Sequence, residues 1–171
     1  KRCHPSKGEA AVRDFVLDLL KEEGKSIILN GRGVLHGKEL DIYLPSRKLA
    51  IEYDGLYYHS YEKLKEHEKN LGVSARSYNK WKTDECERLG IRLVHIFEDE
   101  WLEHQDIVED KLKAILRVPM QRYYARKLKL AVVPRDVAID FYDENHIQGG
   151  TNLTVSIGLY DKDELIAVQS F

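Results

Sequence analysis

Residues 39–60, ELDIYLPSRKLAIEYDGLYYHS, set apolar alternation and carboxylates side by side, and few folds accommodate both. In Leu40-Asp41-Ile42-Tyr43-Leu44 the apolar residues recur at period two, so Asp41 and Tyr43 face the other way. In Leu49-Ala50-Ile51-Glu52-Tyr53-Asp54 the same alternation sets Leu49, Ile51 and Tyr53 against Ala50, Glu52 and Asp54. Pro45, Ser46 and Arg47 supply a reversal between the runs. Paired as a hairpin, the two strands bring Asp41, Glu52 and Asp54 together at one end of a sheet. Like charges so crowded are costly unless a cation sits among them. The competing reading leaves Asp41 and Asp54 as solvent-facing residues of an edge hairpin.

Carboxylates converging at strand ends are hard oxygen ligands, which suit Mg²⁺ better than zinc. Such a site can drive attack of water on phosphorus while the metal neutralises the departing oxygen. Gly55 permits a sharp departure from the second strand, and Tyr57, Tyr58 and His59 follow it. His59 is thus close in sequence to the acids and able to act as acid or base near neutral pH. Lys82, on a helix before the last strand of the sheet, can reach back toward an attacking water or a phosphate oxygen, although a lone helical lysine is commonly a surface residue.

Taken in order, Ser6 followed by Glu9 is a capping box that opens a helix of about four turns, with Ala11, Phe15, Leu19, Val12, Val16 and Leu20 on one stripe and an end at Gly24. Residues 26–30 read as a first strand turned by Gly31-Arg32-Gly33, and the hairpin follows. Helical patterns over 62–71 and 74–89 precede Gly90, and the run 91–97, IRLVHIF, reads as a strand buried on both faces. Residues 98–116 read as one helix with Trp101, Ile107, Val108, Leu112 and Ile115 inward. The sum is an α/β fold whose sheet is covered on at least one face.

The formal net charge of −2 does not announce a nucleic-acid partner, but the distribution is uneven. Residues 98–110 carry seven acids and no Lys or Arg, whereas 111–135 carry eight bases and no Asp or Glu. The basic run includes Arg117, Arg122, Arg126, Lys127 and Lys129 beside Gln121, Tyr123 and Tyr124, a composition suited to phosphate contacts with aromatic stacking. On this feature alone, a solvated basic helix face is the simpler reading. Val118-Pro119 marks a boundary, so the domains read as 1–118, a basic linker or helix over 119–135, and a partial α+β unit over 136–171. In that last unit a helix over 136–145 precedes a hairpin of 154–160 with 164–171. No apolar run approaches transmembrane length, and the two cysteines form no framework, which points to a soluble protein of a reducing compartment. Cys3-His4 reads as a free thiol beside a histidine or as the tail of a zinc element upstream.

Asp41, then Glu52-Tyr53-Asp54 on the next strand, preceded by Glu9 on a first helix, resembles the PD-(D/E)XK nuclease core, with Asp54 in the signature lysine slot. More narrowly, SKGE, ELDIYLPS, LAIEYDGLYYHS and GIRLVHIFEDEW look like phage homing-endonuclease-like proteins related to very-short-patch repair endonucleases, described through a Glu-Asp-x-His-Asp pattern. The resemblance covers residues 5–116. It implies a restriction-endonuclease-like core, a mixed sheet flanked by helices. It also implies a Mg²⁺-dependent endonuclease or nickase acting on double-stranded DNA in the cytoplasm of a phage-infected bacterial cell, with Mn²⁺ able to substitute. Glu9 then orients the site, Asp41 is the principal metal ligand with Glu52 and Asp54 beside it, and His59 is catalytic. Without a lysine at position 54, Lys82 or His59 fills that role, and the final aspartate of the pattern is Asp84 or Asp99. Two rivals share these residues: a non-catalytic DNA-binding module with a decayed site, and a repair nuclease acting on mismatches or junctions.

Overall fold

Ser6 and Glu9 start the first helix as their spacing predicts. Glu9 N donates to Ser6 Oγ at 3.1 Å and Ser6 N donates to Glu9 Oε2 at 3.3 Å, satisfying two of the backbone donors that a helix start leaves open. The structure is a computed structural model that describes residues 6–21, 26–55, 77–150 and 152–171. Helix α1 spans Lys7–Leu20 and buries Val12, Val16 and Leu20. Each such side chain contributes about 1.5–3 kcal/mol of burial free energy before chain entropy is subtracted. The expected end at Gly24 lies outside the described residues.

Strand β1 is Ile28–Leu35, β2 is Lys38–Leu44 and β3 is Leu49–Asp54. The turn expected at Gly31-Arg32-Gly33 is absent: those residues lie within β1, and the chain reverses instead at His36-Gly37, both at positive φ (48° and 85°). Two successive positive-φ residues give the turn twist that matches antiparallel strands, which Gly37 permits at little cost. The glycines mark a register irregularity between Gly31 and Leu35. The second reversal is as expected, a 3₁₀ turn over Pro45–Arg47 closed by Lys48 in the left-handed region.

β1, β2 and β3 are successively antiparallel, and β3 pairs in parallel with β4, Arg92–Phe97, giving a mixed four-stranded sheet in the order β1-β2-β3-β4. A parallel neighbour needs a crossover, and helix α2, Tyr78–Arg88, lies in it, with Gly90 at φ 70° just beyond its end. The stretch 62–71 expected to be helical lies outside the described residues. β4 is not fully buried on both faces: Val94 and Ile96 on one face are buried, while Leu93 and His95 on the other are only partly so and Phe97 is exposed. Register pairs Ile42 with Ile51, so Leu40, Ile42, Leu44, Leu49, Ile51 and Tyr53 share one face and Asp41, Glu52 and Asp54 the other.

Helix α1 serves the Tyr53 face. A Cβ at Gly8 would overlap the Tyr53 hydroxyl, so the glycine lets the first turn of α1 lie directly on β3. Helix α2 serves the acidic face, where its Lys82 and Cys86 are buried. The single helix expected over 98–116 is two, α3 over Glu98–Glu103 and α4 over Gln105–Ile115, broken at His104 (φ −137°, ψ 45°). Trp101, Val108, Leu112 and Leu116 are buried, whereas Ile107 and Ile115 are only partly so.

The chain divides into two compact units, Lys1–Val108 and Glu109–Phe171. The segment read as a basic linker or helix thus belongs to the second unit. It holds a 3₁₀ turn at Ala125–Lys127 and then strand β5, Lys129–Val133. Helix α5 is Arg135–Asn145, and β6, Ser156–Asp161, pairs antiparallel with both β5 and β7, Glu164–Ser170. The α/β class is therefore observed, with an α+β second unit. Among the described residues no helix is long and apolar enough to cross a membrane.

Candidate active site

β3 carries the centre of the site because, among the described strands, it alone has buried residues throughout its length, acids included. Glu52 is 5% exposed and Asp54 1%. Burying a carboxylate without compensation costs several kcal/mol, so each should have a partner, and each does. Lys82 Nζ forms an ion pair with Glu52 Oε1, both side chains almost wholly out of solvent. Asp54 Oδ2 lies 2.6 Å from His95 Nδ1 on β4, and His95 Nε2 lies 2.9 Å from Thr83 Oγ1 on α2. Thr83 in turn donates to the carbonyl of Asn79 at 3.0 Å, so the imidazole is held at both nitrogens.

Asp41 stands on β2 at the same level. Its Oδ2 accepts from the Tyr53 backbone N–H at 2.9 Å, and its own N–H donates to Glu52 Oε2 at 3.5 Å. Burial, then the charge of Glu52, pushes Asp41 up to about 8, and Glu9 adds to the effect at longer range. Burial likewise pushes Glu52 up, with Lys82 opposing it. For Lys82, burial alone would lower the pKa, but the Glu52 carboxylate outweighs it and the ammonium is held charged. The phenol of Tyr53 is pushed up to about 12, by burial and then by Glu98.

The sequence-expected residues therefore sort as follows. Asp41 and Glu52 are neighbours and Glu9 is within electrostatic reach. Asp54 lies on the same face but is engaged by His95, so the three carboxylates do not form one open ligand cluster. Lys82 is not a surface lysine reaching toward water; it is 3% exposed and bound to Glu52. His59 lies outside the described residues, as do Tyr57, Tyr58, Cys3 and His4. Asp84 and Asp99 are exposed; Asp84 pairs with Lys80 at 3.1 Å and Asp99 Oδ1 accepts from Glu100 N at 3.0 Å. Cys86 is a buried free thiol.

Sequence reading passed over His95, Thr83 and Tyr78. A signal existed for His95, the single ionisable residue inside the apolar run Val94-His95-Ile96. For Tyr78 the signal was helical spacing, since Tyr78, Lys82 and Cys86 recur every four residues along α2.

Among the described residues no group of three or more His, Cys, Asp or Glu side chains is set to hold a metal ion. The pair Asp41–Glu52 nevertheless suits Mg²⁺ by its chemistry, because that ion commonly takes one or two carboxylates and completes its shell with water and phosphate. In the second unit Arg117, Arg122, Arg126, Lys127 and Lys129 are all exposed, and Lys127 Nζ sits 5.4 Å from the centre of the Tyr124 ring. No protein-family model matches this chain, and comparisons with curated proteins and with solved structures return no match.

Proposed function

We propose that the first unit is a metal-dependent endonuclease of the restriction-endonuclease-like class, hydrolysing phosphodiester bonds of double-stranded DNA. The observation that carries this reading is the juxtaposition of Asp41 and Glu52 on adjacent strands with a buried Lys82 against Glu52. Carboxylates drawn out of water beside a single ammonium leave Asp41 short of positive charge, and a divalent cation supplies what is missing. Asp41 and Glu52 would hold Mg²⁺, with Mn²⁺ able to substitute; the metal brings Lewis acidity and neutralises charge on the phosphate. Lys82 opposes the effect of burial on Glu52 and fixes the carboxylate in direction, and Glu9 adds negative field from α1. His95, itself held by Thr83, engages Asp54, which we therefore assign to positioning rather than to metal ligation. His59 retains the acid or base role that the resemblance implies. The exposed bases of 117–129 are the phosphate contacts, and the host-cell cytoplasm is where such a protein would meet DNA.

Supercoiled plasmid incubated with the purified chain and Mg²⁺ is expected to relax or linearise, and neither EDTA nor Asp41→Asn should permit it. Plasmid binding without cutting in Mg²⁺ or Mn²⁺ would instead favour a DNA-binding module with a spent site.

A further inference from the structure

Tyr78 opens α2 one turn before Lys82, and its ring lies 5.9 Å from Lys82 Nζ, the ammonium that holds Glu52. Trp81 stacks on it, ring centres 6.0 Å apart at 21°, which limits the positions the phenol can take. Tyr78 is half-buried rather than sealed, and its hydroxyl makes no hydrogen bond among the described residues. Four residues before Lys82 on the same helix, with its ring against the Lys82 ammonium, Tyr78 shares the helix face that meets the acids, and Lys82, Glu52, Asp41 and Asp54 all act on its phenol electrostatically.

A neutral hydroxyl fixed beside carboxylates and an ammonium has a narrow chemical use. It donates one hydrogen bond and adds no charge, so it can meet an anionic oxygen where a second lysine would over-neutralise the acids. Burial, chiefly, raises its pKa, so it stays protonated and a donor throughout the physiological range. The anion that approaches Asp41, Glu52 and Lys82 under the reading above is a phosphodiester.

We propose that the Tyr78 hydroxyl is a phosphate-contacting group of this site, donating to a non-bridging oxygen of the scissile phosphodiester. The inference rests on the nuclease reading. Negative charge on those oxygens changes as the water oxygen–phosphorus bond forms and the ester bond breaks, so a fixed donor there acts on turnover more than on binding. Lys82 is already engaged by Glu52, and Tyr78 offers a donor one turn away on the same helix face.

The test is Tyr78→Phe in the full chain, which removes the hydroxyl and keeps the ring on Trp81 and Lys82. Single-turnover cleavage of a duplex in Mg²⁺ should fall about 10- to 100-fold while DNA affinity measured in Ca²⁺ stays within about twofold. Sulfur accepts hydrogen bonds poorly, so substrates bearing one phosphorothioate diastereomer at the cut should lose their extra slowing in the variant. A melting temperature equal to that of the parent shows that the fold is intact; if it drops, Tyr78→Trp and Tyr78→His, which keep a ring donor, must recover part of the rate. Cleavage by Tyr78→Phe at the parent rate, or an unchanged phosphorothioate preference, would overturn this inference and leave the nuclease reading standing. A parent chain that cuts no DNA would overturn both.

Discussion

Lys82 and Glu52, thirty positions apart in the chain, meet in an ion pair whose side chains are 3% and 7% exposed. A buried pair of this kind commonly adds little net stability, since desolvation of both charges offsets their attraction, but removing one partner strands the other. Lys82→Ala is therefore expected to lower stability by about 3–5 kcal/mol. The effect on DNA cutting by Lys82 cannot then be separated from folding by that variant alone. Combining Lys82→Met with Glu52→Gln should recover most of the loss in urea denaturation. A double variant as unstable as the single one would mean that packing around α2, and not the charge, dominates.

Asp41 makes stability depend on pH in a direction opposite to that of most carboxylates. Its folded value of about 8 lies above the ordinary 3.8, so between the two the folded chain keeps a proton that the unfolded chain has released. Stability is full below the lower value and falls as pH rises through the folded one, by up to about 1.4 kcal/mol per unit for an isolated site. The metal-free protein should thus melt at lower temperature at about pH 8 than at about pH 5, and Asp41→Asn should flatten that dependence. Mg²⁺ should raise the melting temperature more at the higher pH, and it should do nothing for Asp41→Asn. A melting profile indifferent to Asp41→Asn would show that this carboxylate ionises normally.

Gly8 is required for contact rather than for helix geometry. Because a Cβ there would overlap the end of the Tyr53 ring, Gly8→Ala should cost about 1–3 kcal/mol despite the higher helix propensity of alanine. Tyr53→Leu, which shortens the side chain, should make Gly8→Ala tolerable, and denaturation curves of the two single variants and the double variant check this. Additive losses would place the strain elsewhere in α1.

The basic run makes a demand on solution behaviour. Neutralising phosphates releases counterions, so replacing Arg122, Arg126, Lys127 and Lys129 together by Ala should flatten the slope of log affinity against log salt by about 2–4. Cutting at saturating DNA should persist, because Asp41 and Glu52 are untouched. An unchanged slope would make the run a solvated surface. DNA would then have to be held by Arg32, Arg76 and Lys80 of the first unit, of which Arg32 is paired with Glu39 at 2.6 Å, Lys80 is paired with Asp84 at 3.1 Å, and Arg76 lies outside the described residues.

Local rules determined a good deal of this protein. Ser6 and Glu9 cap α1 because the capping contact spans three residues, and alternation placed Leu40, Ile42 and Ile51 on one face with Asp41, Glu52 and Asp54 on the other because strand side chains alternate at period two. The Pro45–Arg47 reversal and the 156–170 hairpin are local in the same sense. What the tertiary structure decided was the choice of partners. Alternation shows that Asp54 faces the acidic side, but it takes the parallel pairing of β3 with β4 to put His95 against it, across forty-one residues. Helical periodicity aligned Tyr78, Lys82 and Cys86, yet only the docking of α2 on the sheet buried a lysine that propensity would leave in water. The run of β1 through Gly31 and Gly33 was likewise a tertiary choice. Glycine in a sequence signals freedom, and whether that freedom is used for a turn or for a bulge within a paired strand depends on which strand lies alongside.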